Sequence, residues 1–192
     1  MFRSILLGAL FLGVLYLAFW WFKVEEFTSL EKALSSTEKV TFLNLSHQKI
    51  KTIPTSISKL QDLEILWLDD NPDIDLNQTF KTLRTLPKLR ALVISGCHID
   101  TLPKYIALLR HLTVLDLSDN PKIRLDLGIP ALVQLSELTA LSITACHLKD
   151  LPPGFEKIKS LKKVFLMKNS IPVSRRKYWQ TQLPDCNFEY EE

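Results

Sequence analysis

The sequence predicts an α/β fold, an open curved solenoid with a parallel sheet of about six strands, preceded by one N-terminal transmembrane helix. Three observations predict it. The same spacing of apolar residues recurs in successive short units from residue 40 almost to the C terminus. The recurring units alternate between two lengths, as a duplicated pair of units would. A long apolar run without charge precedes the first unit.

The repeat follows from the spacing of leucine and isoleucine. Apolar residues from Val40 to Leu60 match the pattern LxxLxLxxNxLxxLPxxIxxL, with Gln48 in the asparagine position. The pattern restarts at residues 63, 89, 112, 138 and 161, so successive spacings are 23, 26, 23, 26 and 23 residues. Self-similarity at this period is typical of solenoids. Two unit types therefore alternate in a 49-residue pair, which a duplication explains.

The two unit types differ after their strand. Short units carry an aliphatic residue before proline: Ile53-Pro54, Leu102-Pro103 and Leu151-Pro152. Long units carry Asn-Pro and then an extended connection, in which residues 80–86 predict a helical turn or two. Alternating apolar positions predict a strand whose leucines point inward, and stacking buries them in one core. The inward asparagine of a unit can hydrogen-bond backbone groups of the turn.

This pattern resembles the leucine-rich repeat family in its LPxxI subclass, over about residues 28–190. Residues 28–39 predict a short helix capped by Thr28 or Ser29, similar to the N-terminal cap of prokaryote-type members. Residues 175–183 predict a helix ended by Pro184, and the following residues resemble a C-terminal cap with a final edge strand. The predicted organisation is an anchor over 1–23, a linker and cap over 24–39, repeats over 40–172 and a C-terminal cap over 173–192.

The N-terminal segment predicts a membrane anchor. Residues 5–22 contain no charge and lie between Arg3 and Lys23. In a helix they would cover about 27 Å, close to the hydrocarbon thickness of a bilayer. A cleaved signal peptide is the competing interpretation, but the run is longer than usual and no small-x-small site follows. A buried core helix is a third interpretation.

The orientation depends on basic residues near the segment. Arg3 and the amino terminus favour a cytoplasmic N terminus, with the repeats on the non-cytoplasmic side. Lys23, Lys32 and Lys39 count against this orientation. The alternatives are repeats on the cytoplasmic side, or secretion after signal cleavage.

Composition excludes several classes of function. The chain has 5 glycines, 3 cysteines and a net charge of +3, without a phosphate-binding glycine loop or a long basic run. Nucleotide enzymes, disulfide scaffolds and nucleic-acid binding are therefore not predicted. The sequence shows no nucleophile with a base and an orienting group, so no enzyme and no cofactor are predicted. It does not predict an oligomeric state.

Two Cys-His pairs, Cys97-His98 and Cys146-His147, could indicate a metal site or a nucleophile. The two cysteines occupy equivalent positions two units apart, about 9.6 Å at the usual strand spacing. This distance is too long for a shared zinc ion or a disulfide. We therefore predict that both cysteines are buried residues of the repeat, with their histidines facing outward, and no metal.

The predicted binding surface is the concave face, formed by the third and fifth residues of each unit. It contains large apolar side chains, which mark interaction sites when they are exposed together, and an acidic rim. Calcium binding by this rim is conceivable, but no DxDxDG spacing is present. The candidate partner-binding residues are Phe42, Asn44, Ile65, Trp67, Asp69, Asp70, Val93, Val114, Asp116, Asp119 and Phe165.

The resulting hypothesis is a membrane-anchored protein that binds a protein or peptide partner around Trp67. In one alternative the cap or the linker covers Phe42 and Trp67. In another the chain is a structural or assembly subunit of a membrane or envelope complex, without a binding role.

Overall fold

The strands of the repeats form one parallel sheet in chain order. The computed structural model describes residues 26–190, so the anchor predicted over residues 1–23 lies outside the described residues. No helix between residues 26 and 190 is long and apolar enough to cross a bilayer. The strands of the sheet are β1 (Glu26–Phe27), β2 (Phe42–Asn44), β3 (Ile65–Trp67), β4 (Ala91–Val93), β5 (Val114–Asp116), β6 (Ala140–Ser142), β7 (Lys163–Phe165) and β8 (Asn187–Glu189).

Six of the eight strands are the predicted repeat strands, and each begins two residues after the start of its unit. The estimate of about six strands is too low, because the caps add β1 and β8 at the two edges. The edge strand β8 was expected from the resemblance of the C-terminal cap. Strand β1 has only 2 residues and is too short to show an alternating pattern.

Register aligns equivalent positions of the units across the sheet. Phe42 pairs with Ile65, and Ile65 pairs with Ala91, in parallel strands. The same correspondence continues through β7. Each position of the unit therefore forms a straight row of side chains, with a spacing of about 4.8 Å between neighbours.

Helical segments return the chain from one strand to the next. The α-helices are α1 (Leu30–Ser35), α2 (Leu76–Leu83), α3 (Leu125–Leu132) and α4 (Val173–Gln182). Short units return through the 3₁₀ helices Thr55–Lys59, Lys104–Leu108 and Phe155–Lys157, and long units return through α2 and α3. Ser29 caps α1, as predicted. Helix α2 begins four residues before the predicted 80–86, because Asp75 accepts a hydrogen bond from the Gln78 amide at 3.0 Å.

One backbone position separates the two unit types. The tenth residue of each short unit has a positive φ: Lys49, His98 and His147. The first two long units carry Pro72 and Pro121 at this position. Because the proline ring holds φ at about −65°, the left-handed conformation is excluded there. In these two units the Asn-Pro dipeptide therefore excludes the backbone path that the short units follow.

The asparagine positions satisfy the turns, as predicted. Asn120 is fully buried. Its Oδ1 accepts from the Ile99 amide at 2.9 Å, and its Nδ2 donates to the Leu117 and Ile94 carbonyls at 2.9 and 3.1 Å. Gln48 occupies the same position in the first unit but is exposed and donates to the Thr28 carbonyl at 2.8 Å. The first unit therefore uses this position to bind its cap.

Candidate binding face

The open face of the sheet is the surface opposite the core, formed by the third, fifth and seventh residues of the units. The third-position row is Phe42, Ile65, Ala91, Val114, Ala140 and Lys163. The fifth-position row is Asn44, Trp67, Val93, Asp116, Ser142 and Phe165. The seventh-position row is Ser46, Asp69, Ser95, Ser118, Thr144 and Met167. The structure thus brings the predicted third- and fifth-position residues onto one face.

The apolar side chains of this face are more closely packed than predicted. The expected exposure is wrong for Phe42, Val93 and Phe165, which are 1%, 4% and 4% exposed. The rings of Phe42 and Trp67 meet edge to face, with centroids 4.9 Å apart, and the Lys163 ammonium lies 4.7 Å from the centre of the Phe165 ring. In-register rows at this spacing bring neighbouring side chains into contact. The type of a residue therefore does not by itself determine how much of its side chain is exposed.

A partly exposed apolar surface remains on β3 and β5. Ile65, Trp67 and Val114 are half-buried. The Trp67 Nε1 atom is shielded from solvent and has no hydrogen-bond acceptor among residues 26–190. Asn44 already donates to Glu26 Oε1 at 2.7 Å, so this predicted binding residue is engaged with β1.

The four aspartates predicted as a solvated acidic rim divide into two kinds. Asp70 and Asp119 are exposed, and Asp70 Oδ2 lies 3.3 Å from His47 Nδ1. Asp116 is only 5% exposed and Asp69 is half-buried, so the prediction of a solvated group is wrong for this pair. Asp116 lies on β5 and Asp69 lies in the turn after β3, and both strands are inside the sheet, where neighbouring rows displace water.

Burial changes the ionisation of the inner two aspartates. It raises the pKa of Asp69 to about 7, and the nearby Asp116 carboxylate contributes to this rise. Burial also raises the pKa of Asp116 to about 6, although hydrogen bonds from Ser118 oppose the shift. The protonated forms can coexist with the apolar neighbours, because a neutral carboxyl group costs less to bury than a carboxylate.

Hydroxyl groups of the seventh-position row form hydrogen bonds with aspartates of the open face. Ser46 Oγ donates to Asp69 Oδ2 at 3.1 Å, and the Ser95 hydroxyl donates to Asp119 Oδ2 at 3.3 Å. Farther along, Ser118 Oγ and Ser142 Oγ share a hydrogen bond of 2.7 Å. This polar row was not predicted, although serine or threonine stands at four of its six positions.

The cysteines are buried on the core side, as predicted. Cys97 Sγ donates to the Leu68 carbonyl at 3.2 Å, and Cys146 Sγ donates to the Leu117 carbonyl at 3.3 Å. Burial raises the pKa of Cys97 to about 11 and that of Cys146 to about 12. The adjacent His98 and His147 are exposed, so neither Cys-His pair forms a nucleophile with its base. Over residues 26–190, no group of three or more histidine, cysteine or acidic side chains could hold a metal ion.

Comparisons with known proteins identify the fold. No family model and no curated protein matches the sequence. A leucine-rich repeat protein of Leptospira interrogans has a similar structure, with a TM-score of 0.60 and 23% identity over 88% of this chain and 40% of that chain. A chain of the Drosophila Toll–Spätzle complex matches with a TM-score of 0.60 and 23% identity over 74% of this chain and 18% of that chain. This chain thus spans less than half the length of either, and its fold is that of the leucine-rich repeat proteins.

Proposed function

We propose that this protein is a membrane-anchored leucine-rich repeat protein of the LPxxI subclass, which binds a protein or peptide partner on the open face of its sheet. The observation that carries the proposal is the half-buried surface of Ile65, Trp67 and Val114 beside the half-buried Asp69 and the buried Asp116. Rigid apolar surface with a tryptophan near its centre is typical of binding hot spots. No catalytic role is part of the proposal.

The polar groups of this surface define the chemistry of the partner. A lysine or arginine beside Asp69 and Asp116 would favour their ionised forms and offset the cost of their burial. A partner with an apolar anchor and a neighbouring basic residue therefore fits this face best.

We expect Trp67→Ala to weaken partner binding at least about 30-fold, the change that truncating a hot-spot residue produces. The full chain would be used to capture partners from detergent-solubilised membranes of the producing cell, and the affinity of each captured protein would then be measured. Leu127→Ala is the matched control, since Leu127 is 55% exposed but lies on α3, away from the open face. Equal capture by both variants would place the site elsewhere.

Replacement of residues 1–22 by an unrelated membrane anchor tests the alternative of an assembly subunit. Capture that survives the replacement supports binding by the repeats. Capture that is lost, while Trp67→Ala has no effect, supports assembly through the N-terminal segment.

We also propose a single-pass topology with the repeats on the non-cytoplasmic side. A reporter that is active only outside the cytoplasm, fused after residue 192, should then be active in intact cells. Activity only of a cytoplasmic reporter at the same place would reverse the orientation. A shortened product that lacks residues 1–22 would instead indicate a cleaved signal peptide.

A further inference from the structure

The third-position row forms a continuous apolar track across the sheet. Phe42, Ile65, Ala91, Val114 and Ala140 occupy neighbouring strands in strict register. Phe42 and Ala91 are buried within this row, whereas Ile65, Val114 and Ala140 are half-buried and present the surface of the track. Such a track suits a rod-shaped apolar segment that crosses the strands.

Charged residues stand at the two ends of the track. Glu26 is paired with Phe42 in register and accepts from Asn44 at 2.7 Å. Lys163 ends the row on β7 and lies 2.7 Å from Glu189 Oε1. An occupant that fits between these ends is apolar, and a positive charge at one of its termini suits Glu26, while at the other end the Lys163 charge is already offset by Glu189.

The chain itself carries a segment with these properties. Residues 5–22 contain no charge and are flanked by Arg3 and Lys23. A helix of 18 residues is about 27 Å long, and the six strands β2 to β7 span about 24 Å. The described residues begin at Glu26, on the edge strand beside β2 and in the same row as the track. Only three residues therefore separate the apolar segment from the end of the track.

We propose that residues 5–22 bind the third-position row of their own chain whenever they are not in a bilayer, and so exclude a partner from the open face. A short tether gives such a segment an effective concentration of about a millimolar, which a partner in solution rarely reaches. Insertion of the segment into a membrane removes this competitor. The open face is then available only on protein that has reached a membrane.

Cysteine cross-linking in the full chain tests this inference. The chain would be synthesised in a cell-free system without membranes, with Val114→Cys on the track and one further cysteine at Leu12, Gly13, Val14 or Leu15 in turn. Four consecutive positions cover one helical turn, so at least one of them faces the sheet. The native cysteines are buried with raised pKa values, which keeps their reaction with a bismaleimide slow.

We expect at least one of the four pairs to form an intramolecular cross-link with Val114→Cys, at a yield independent of protein concentration. The matched control pairs the same positions with Lys81→Cys, because Lys81 is exposed on α2 at the other side of the solenoid. The inference is overturned if no pair with Val114→Cys is cross-linked, or if the yield equals that of the control.

A second measurement uses the accessibility of the track. Without membranes, a bulky maleimide should label Val114→Cys at least about tenfold faster when Leu15→Glu is also present, because a buried charge weakens the bound segment. An unchanged rate would contradict the inference. It would leave the proposed partner binding intact, since an open face that is always accessible can still bind through Trp67.

Discussion

Replacing Asn120 with alanine should lower the free energy of unfolding by about 3–5 kcal/mol, the largest effect that we expect from a single substitution. The side chain is fully buried and bonds to three segments of backbone: the Ile99 amide, the Ile94 carbonyl and the Leu117 carbonyl. Alanine removes all three bonds, and the Leu117 carbonyl keeps only the weak bond from Cys146 Sγ at 3.3 Å. Urea unfolding of the purified full chain, followed by circular dichroism, measures the loss.

Gln48→Ala is the matched control, because Gln48 occupies the same position in the first unit. Its amide is exposed and donates to the Thr28 carbonyl only, so we expect a loss of at most about 1 kcal/mol. Similar losses in the two variants would show that the hydrogen bonds of the buried asparagine do not hold the units together.

Asp116→Asn should stabilise the protein at pH 8 by about 1–2 kcal/mol and have little effect at pH 4. Burial raises the pKa of Asp116 to about 6, whereas the unfolded chain ionises near the ordinary value of 3.8. The folded protein therefore holds more protons than the unfolded chain between these values. The contribution of Asp116 to the free energy of unfolding is greatest below about pH 4. It falls as the pH rises through 6 and is constant above about pH 7. Asparagine keeps an acceptor for the Ser118 amide, which bonds Asp116 Oδ1 at 2.8 Å.

Asp69 changes the stability with pH in the same direction as Asp116, since burial raises its pKa to about 7. The wild-type chain should lose about 2–4 kcal/mol between pH 4 and pH 8 from the two groups, with the Asp69 contribution reduced by the water that reaches this half-buried side chain. Thermal unfolding at pH 4, 6 and 8 measures the change. Asp119→Asn, at an exposed position, should reduce this dependence much less than Asp116→Asn does, because the Asp119 charge contributes less than burial to the raised pKa of Asp116. A stability that rises from pH 4 to pH 8 in the wild-type chain, or a dependence that Asp116→Asn does not reduce, would contradict the assignment.

Much of the repeat architecture could be predicted because it depends on short-range spacing. Each strand from β2 to β7 begins two residues after one of the unit starts at residues 40, 63, 89, 112, 138 and 161. The inward positions of Cys97 and Asn120 follow from the same pattern. The start of α2 was misplaced because its capping residue, Asp75, lies outside the apolar pattern from which the helix was predicted.

The binding face was predicted less completely, because exposure depends on side chains of other units. Trp67 and Phe42 were both expected to contact a partner, but Phe42 is buried and packs against the Trp67 ring. The exposure of the aspartates also depends on residues of other units. Asp69 and Asp70 are adjacent in the chain, yet only Asp70 remains exposed. The role of these residues in binding stays a prediction.

By itself the sequence determined the unit length, the alternation of two unit types, the residues that face the core and the polar positions that satisfy the turns. These features are local, since period-two alternation and the restricted φ of proline act within a few residues. Only the tertiary structure decided which residues of the open face can be reached, and which carboxyl groups retain their protons near neutral pH. Both depend on in-register neighbours about 4.8 Å away, which come from units that are 23 or 26 residues distant in the chain.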